Sequence, residues 1–213
     1  MAKEIARGRG VTIFFDGKRC IHSRNCVLTH PDVFVPNVEG EWIHPDATSP
    51  EEVALTARLC PSGAITYERT DGGPQEPASV VNTVRMREDG PLAFNAPLQI
   101  DGEDLRLRAT LCRCGLSQDK PYCDGSHADG GFVVSGEREA KKSEALAVRD
   151  GPLHISPQKN GPLAVTGNLE VITGTGHTVD RITQTRLCRC GHSSNKPFCD
   201  GSHEKAGFVA DGA

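Results

Sequence analysis

The amino-acid sequence predicts an α+β fold, in which a small N-terminal unit is followed by two copies of a small β-rich unit. Residues 11–69 show the pattern of a strand, a helix and a second strand. A sixteen-residue motif, CRCGLSQDKPYCDGSH at 112–127, occurs again as CRCGHSSNKPFCDGSH at 188–203. The run LRLRATL at 105–111 alternates apolar and polar residues, as strands do. These observations predict a separate first unit and an internal duplication after it.

The helix of the N-terminal unit has clear start signals. In the run SPEEVALTARLC at 49–60, Ser49 can cap the helix and Pro50 suits its first position. Glu52 completes a capping box with Ser49. The sequence therefore predicts a helix that begins next to Ser49.

Two predicted strands flank this helix. They are VTIFF at 11–15 and AITYE at 64–68, and the run TDGGPQEPAS at 70–79 has the composition of a linker. We therefore predict an N-terminal domain at 1–70 and a linker at 71–84.

The duplication extends beyond the sixteen-residue motif. DGPLAF at 89–94 precedes the first motif, and NGPLAV at 160–165 precedes the second. We therefore predict two β-rich domains, at 85–136 and 158–213, joined by a linker at 137–157.

The composition suggests that these units need a covalent or metal staple. The chain has 23 glycines and 14 prolines, and only 5% of its residues are aromatic. Small, turn-rich domains of this kind bury little apolar surface and are usually held together by disulfides or metal. The nine cysteines are an odd number, which argues against complete disulfide pairing.

Charge and apolar content restrict the function classes. No secretory signal and no apolar run long enough for a membrane span is present, so we expect a cytoplasmic protein without a membrane partner. The formal net charge of −4 gives no reason to expect nucleic acid. The sequence also lacks a phosphate loop, a dinucleotide fingerprint and a nucleophile–base arrangement, so we expect no enzyme.

Each motif supplies three cysteines and one histidine as candidate metal ligands. They are Cys112, Cys114, Cys123 and His127 in the first motif and Cys188, Cys190, Cys199 and His203 in the second. The first two cysteines of a motif can point to a common position because one residue separates them. Cys123 and His127 would lie together if Asp124 capped a short helix. Four ligands in two pairs suit either one metal ion or a two-iron cluster.

Zinc is the competing interpretation. Three cysteines and one histidine form an accepted zinc site, but common structural zinc sites have a wider gap inside the cysteine pair and between the pairs. A two-iron cluster needs two ligands on each iron, and the two pairs of a motif would supply them. The spacing favours iron–sulfur over zinc and leaves zinc open.

The motif CRCG-x-S-x3-P-[YF]-CDGSH resembles the signature of the CDGSH iron–sulfur domain family, the mitoNEET group. The resemblance covers about residues 85–134 and 158–210 and includes Cys-Asp-Gly-Ser-His at 123–127 and 199–203. It implies a small β-rich fold and two [2Fe–2S] clusters, each held by three thiolates and one imidazole. Familiar members carry one motif and dimerise, so the resemblance implies a monomer whose copies pack as an internal pseudo-dimer.

The histidine ligand has chemical consequences of its own. Three thiolates and a neutral imidazole leave a site one charge less negative than four thiolates, so its reduction potential should be higher. Imidazole also titrates near neutral pH. We therefore expect proton-coupled reduction, and we expect acid to release the cluster by protonating the ligand.

The third cysteine group consists of Cys20, Cys26 and Cys60. The segments CIHSRNC and CPSGA that contain them resemble a divergent four-iron ferredoxin domain, over about residues 10–69. The middle position of the loop is Ser23 instead of the usual cysteine. Three thiolates could hold a [3Fe–4S] cluster, or a [4Fe–4S] cluster with Ser23, His22 or an outside group as the fourth ligand. A ferredoxin-like domain that has lost its cluster is the alternative.

These predictions favour electron transfer as the function, with a redox partner protein. Storage of [2Fe–2S] clusters or their delivery to an apo-protein acceptor is the first alternative, because the histidine ligand is labile. A zinc-stapled interaction module is the second alternative.

Overall fold

The computed structural model describes residues 3–103 and 105–212. It divides the chain into two compact units, Met1–Pro77 and Ala78–Ala213. The structure is mostly β with few helices, in agreement with the predicted α+β class. Within the described residues, no helix has the length and apolar character needed to cross a membrane.

The N-terminal unit is built on one antiparallel sheet with the order β1-β2-β3 and two helices. Its elements are β1 (Lys3–Arg7), β2 (Val11–Asp16), α1 (Asn25–Thr29), α2 (Pro50–Arg58) and β3 (Ile65–Arg69). The core between the sheet and α2 contains the fully buried side chains of Val11, Ile13 and Val53. The predicted strand–helix–strand order is therefore present, as β2, α2 and β3.

The start of α2 follows the predicted capping signals. Ser49 occupies the N-cap, and its Oγ accepts the Glu52 N–H at 3.3 Å. The helix ends at Arg58, two residues before the end of the predicted run, and the Cys60 N–H donates to the Ala57 carbonyl in a tight turn. Strand β1 was not predicted because KEIAR lacks an apolar face, and it is held by main-chain pairing with β2 as an edge strand.

The C-terminal unit contains a six-stranded sheet and two short helices. The first copy contributes β4 (Thr83–Met86), β5 (Leu92–Ile100), β6 (Arg106–Leu111) and α3 (Ser126–Asp129). The second copy contributes β7 (Leu153–Pro157), β8 (Leu163–Ile172), β9 (Thr178–Leu187) and α4 (Ser202–Lys205). In each copy the three strands pair antiparallel in sequence order.

The two copies exchange strand pairings reciprocally. The first strand of each copy lies parallel to the second strand of the other, so β4 pairs with β8 and β7 pairs with β5. Thr83 faces Glu170 in one pairing, and His154 faces Gln99 in the other. The strands β4, β5, β7 and β8 therefore form a closed ring, in which neither copy completes its sheet alone.

One hydrophobic core serves both copies. Met86, Phe94 and Leu98 from the first copy pack in the same cluster as Leu153 and Val171 from the second, and all five are at most 1% exposed. Because each copy alone would leave these side chains in water, their burial favours the paired arrangement.

Strands occupy parts of both predicted linkers. The predicted linker at 71–84 contains the start of β4, and the predicted linker at 137–157 contains all of β7. Both strands are short and obtain one neighbour from the other copy, so their local sequence carries little of the signal for pairing. The predicted domain boundaries stay predictions.

Candidate metal centres

The ligand loop of each copy begins directly after the last strand and folds back onto its end. The Cys112 N–H donates to the Pro121 carbonyl at 2.8 Å, and the Cys123 N–H donates to the Thr110 carbonyl at 3.0 Å. The second copy repeats both bonds, from Cys188 to Pro197 at 2.7 Å and from Cys199 to Arg186 at 2.9 Å. These bonds bring the third cysteine of each motif back beside the end of the strand that directly precedes the first cysteine.

The carboxylate of Asp124 holds the backbone of the loop that leads to the histidine. Asp124 accepts the Gln118 N–H at 2.7 Å and the Ser126 N–H at 3.0 Å. Burial would raise the pKa of Asp124, but these hydrogen bonds outweigh it and lower the pKa. Gly125, with φ of +91°, occupies the N-cap of α3, and Asp124 directly before it accepts the N–H of Ser126, the first helical residue. A glycine is needed there because only it adopts this backbone without strain.

The four candidate ligands of each motif lie in two close pairs. In the first motif, Cys112 Sγ is 3.7 Å from Cys114 Sγ, and Cys123 Sγ is 3.3 Å from His127 Nδ1. The second motif has 3.7 Å between Cys188 Sγ and Cys190 Sγ and 3.4 Å between Cys199 Sγ and His203 Nδ1. Two thiolates bound at about 2.3 Å to one tetrahedral metal ion would be about 3.8 Å apart, and a thiolate and an imidazole about 3.5 Å apart. Each pair therefore has the separation of two ligands on one ion.

In the described part of the chain, the four candidate ligands of a motif are not grouped around one metal ion. Across residues 3–103 and 105–212, no group of three or more His, Cys, Asp or Glu side chains is arranged to hold one metal ion. The two pairs of the first motif are nevertheless neighbours, because the Cys123 N–H binds the carbonyl of Thr110, two residues before Cys112. Two adjacent pairs match the donor set of a two-iron cluster, which takes two ligands on each iron.

Cys112 and Cys114 share a hydrogen bond, and this contact shifts the pKa values of their thiols in opposite directions. The hydrogen bond with Cys114 lowers the pKa of Cys112 to about 6, and the same contact raises the pKa of Cys114. Burial raises the pKa of Cys123 to about 11, and burial lowers the pKa of His127. Cysteine binds metal as thiolate, so a bound cation must displace the thiol protons. Its positive charge then stabilises the buried thiolates.

Backbone N–H groups point at several of the sulfur atoms. Gly115 donates to Cys112 Sγ at 3.3 Å, and Leu116 donates to Cys114 Sγ at 3.4 Å. In the second motif His192 donates to Cys190 Sγ and Gly201 to Cys199 Sγ, each at 3.4 Å. Such bonds stabilise negative sulfur and raise the reduction potential of a bound cluster.

A buried arginine lies between the first two cysteines of each motif, and sequence reasoning missed it. Arg113 is 1% exposed and donates to the carbonyls of Gly90 at 2.8 Å and Arg87 at 2.6 Å, and to Val134 at 3.2 Å. Arg189 does the same with Gly161, Gln158 and Asp211 at 3.0, 2.6 and 3.0 Å. The repetition of CRC was the signal that could have identified both.

The two ligand loops contact each other. Cys114 and Cys190 form an antiparallel β-bridge. The next residues, Gly115 and Gly191, both have φ of +84°. A Cβ on Gly115 would lie 2.5 Å from the Cys190 carbonyl oxygen, and a Cβ on Gly191 would lie 2.3 Å from the Cys114 carbonyl oxygen. The close approach of the two motifs therefore requires glycine at both positions.

The third cysteine group lines a cavity of about 640 Å³ in the N-terminal unit. Cys20, Cys26 and Cys60 all contribute to its wall, together with His22 and Ser23. His22 Nδ1 is 3.9 Å from Cys20 Sγ. The pKa values of Cys20 and Cys26 are raised, first by burial and also by the charge of Cys60. The structure therefore brings the three predicted cysteines to one place.

Ser62 is a neighbour of this group that the sequence did not indicate. Its Oγ lies 3.5 Å from Cys60 Sγ and accepts the Ala64 N–H at 3.3 Å. His22 has φ of +52°, so the loop that carries it adopts a backbone that L-residues rarely use.

Two protein-family models match this chain, and each matches a different part of it. A family model described as iron-binding zinc finger CDGSH type matches residues 77–128 and 160–204, and these ranges include all eight candidate ligands of the two motifs. A second family model, divergent 4Fe-4S mono-cluster, matches residues 6–70.

Curated relatives match parts of the chain. CDGSH iron-sulfur domain-containing protein 1 from Bos taurus is 33% identical over 91 residues, which are 43% of this chain and 76% of that protein. The protein of the same name from Rattus norvegicus is 30% identical over 90 residues, 42% of this chain and 73% of that protein. Uncharacterized protein YjdI from Escherichia coli (strain K12) is 34% identical over 61 residues, 28% of this chain and 78% of that protein.

Replacement of Gly115 by alanine should destabilise the C-terminal unit by about 3 kcal/mol, because the new Cβ meets backbone that cannot move independently. Urea unfolding of the full chain measures the change. Gly102→Ala is the matched control, since Gly102 also has positive φ, and among the described residues beyond its chain neighbours no atom lies within 4 Å of a Cβ there; it should cost only about 1–2 kcal/mol. Equal losses in the two variants would contradict the proposed close approach.

Proposed function

Because the chain belongs to the CDGSH iron–sulfur domain family, we propose that each of its two motifs holds a [2Fe–2S] cluster and that the protein transfers electrons between partner proteins. The observation that carries this proposal is the arrangement of each motif's donors in two pairs, with separations that suit one tetrahedral ion per pair. The proposed ligands are Cys112, Cys114, Cys123 and His127 for the first site and Cys188, Cys190, Cys199 and His203 for the second.

A bound cluster would supply one-electron redox chemistry, and the surrounding residues would set its potential. The first two cysteines of each motif are nearly enclosed, with Cys112 and Cys188 both 1% exposed. This enclosure would exclude water from that side of the site. The buried guanidinium of Arg113 and the N–H groups that face the sulfurs would stabilise the added negative charge of the reduced state.

The connection between the two motifs supports a relay. Cys114 and Cys190 belong to different proposed sites and pair directly through their backbones. The reciprocal strand pairing of the two copies supports an internal pseudo-dimer, and hence a monomeric carrier with a redox partner protein. None of the nine cysteines forms a disulfide, which supports a reducing compartment such as the cytoplasm.

Delivery of clusters to an apo-protein acceptor is the second candidate function. It is favoured by the difference in exposure between the two ligand pairs of a site. His203 has a side chain that is 17% exposed and lies on a four-residue helix, whereas Cys188 and Cys190 are 1% and 4% exposed. An acceptor could therefore approach the cysteine–histidine pair first and exchange its own ligands there.

We propose a third iron–sulfur cluster in the N-terminal unit, of the [3Fe–4S] or [4Fe–4S] type. The match to a four-iron family and the shared cavity of Cys20, Cys26 and Cys60 support it. His22 is the best-placed fourth ligand among these residues, because its Nδ1 already lies 3.9 Å from Cys20 Sγ.

Iron and sulfide analysis should separate the three proposed sites. After anaerobic reconstitution, two [2Fe–2S] clusters give about four irons per chain, and a cluster in the N-terminal unit adds about three or four more. Simultaneous Cys→Ser changes at Cys20, Cys26 and Cys60 should remove only the additional iron. The same change at Cys112, Cys114 and Cys123 should remove about two irons. An unchanged iron content in the first variant would exclude the N-terminal cluster.

Replacement of His203 by cysteine should lower the reduction potential of the second site. The new thiolate adds one negative charge, so we expect a decrease on the order of 150 mV in a spectroscopic redox titration. His192→Leu is the matched control, because the first motif carries Leu116 at that position, and it should leave the potential nearly unchanged. A potential that does not respond to His203→Cys would count against His203 as a ligand.

Cluster delivery makes a different prediction. If the cysteine–histidine pair releases the cluster, His127→Cys together with His203→Cys should slow transfer to an apo-ferredoxin several-fold, because thiolate is a stronger ligand than imidazole. Circular dichroism in the visible range follows the appearance of the acceptor's cluster. Transfer at the wild-type rate in this double variant would contradict the second candidate function.

A further inference from the structure

The two copies place different charges at one equivalent backbone position, Asp89 in the first copy and Asn160 in the second. Both residues have left-handed backbones, with φ of +46° and +53°. Asp89 Oδ1 accepts the Val134 N–H at 2.7 Å, and Asn160 Oδ1 accepts the Ala210 N–H at 3.0 Å. The shape and the hydrogen bond are therefore the same, and the charge is the difference.

Both residues lie beside the proposed histidine ligand of their own copy. Lys159 and Asn160 line one groove together with His203. In the first copy Asp89 holds the equivalent place, since its Oδ1 binds the segment after His127 as Asn160 Oδ1 binds the segment after His203. A charge at either position is therefore close enough to act on the adjacent site.

Neighbouring positions extend the difference. Glu88 precedes Asp89, whereas Lys159 precedes Asn160. Asp129, the second residue after His127, corresponds to Lys205 after His203. The charged side chains at these and the other flanking positions are Arg87, Glu88, Asp89 and Asp129 in the first copy and Lys159, Glu204, Lys205 and Asp211 in the second. At these flanking positions the first copy therefore has one arginine and three carboxylates, and the second copy has two lysines and two carboxylates.

The segment between the copies adds a positive charge to the second motif. Arg138 donates to the Asn195 carbonyl at 2.8 Å, to Asn195 Oδ1 at 2.7 Å and to the Lys196 carbonyl at 2.6 Å. The residue equivalent to Asn195 in the first motif is Asp119. At this position too, the second copy is therefore less negative than the first, as it is at Asn160 and Asp89.

We propose that these charges give the second site a higher reduction potential than the first, so that electrons in the chain move from the first motif to the second. This inference rests on the proposed function, in which both motifs hold [2Fe–2S] clusters and a redox partner protein supplies one electron. That electron leaves the reduced first site, which becomes oxidised, and reduces the oxidised second site. A carboxylate near a centre opposes the added electron and a cation favours it, over distances up to about the Debye length of 8–10 Å.

Redox titration of the full, cluster-loaded chain tests the inference, with each site identified by a ligand substitution. Among chains that carry one electron, we expect about ten with the second site reduced for each one with the first site reduced, which corresponds to a difference of about 59 mV between the two one-electron couples. His127→Cys should leave the first wave of the wild-type titration in place, whereas His203→Cys should remove it. The reverse assignment, or a single wave in which both sites are equally reduced, would overturn the inference.

The double variant Asp89→Asn with Asn160→Asp exchanges the charge while keeping both shapes and both hydrogen bonds. It should reduce the tenfold preference for the second site or reverse its direction. Asp101→Asn is the matched control, since Asp101 also has positive φ but lies in the hairpin at the far end of β6 from Cys112. It should leave the preference unchanged, and an equal effect of the control and the double variant would overturn the inference.

Measurement of iron, sulfide and reversible reduction distinguishes a failure of this inference from a failure of the proposed function. A chain that binds no reducible iron and sulfide at the two motifs contradicts both. Two reversible clusters with equal potentials contradict the inference alone and leave the proposed function standing.

Discussion

The buried guanidinium between the first two cysteines of each motif is the interaction on which the C-terminal unit depends most. Arg113 binds carbonyls from the turn before β5 and from the segment after α3, so it ties the two ends of its copy to the ligand loop. Loss of such a donor would leave several buried carbonyls unpaired, and each of them would cost about 1–3 kcal/mol. The positions of the cysteine ligands therefore follow from this arginine as much as from the strands.

The second constraint is that neither copy is complete alone. Strands β4 and β7 each obtain a neighbour from the other copy, and one core contains side chains of both. The Cys114–Cys190 bridge then holds the ligand loops at a fixed separation. Packing of the sheet therefore also determines where the two sites lie, and a change in the packing changes the positions of the sites.

The sequence predicted correctly those interactions that join residues close to each other along the chain. The cap at Ser49 and the close pairs within each motif depend on residues a few positions apart, and they could be read directly. The strand β7 depends on partners far away in sequence, so it could not, and for the buried Arg189 the repeated CRC was the only local signal. The N-cap of α3 is Gly125 and not Asp124, because a preference of residue type does not show at which of two adjacent positions a helix begins.

The reciprocal strand pairing also bears on how the two halves can change over time. In an assembly of two identical chains, every substitution appears twice, and the two centres remain equivalent by symmetry. Here the halves share one sheet but are encoded separately, so a mutation can alter one and leave the other as it was. Asp89 and Asn160 are such a case, because the backbone has kept its shape in both halves while the side chains have diverged. Fusion of two copies therefore turns a symmetric pair into a molecule that can have a direction.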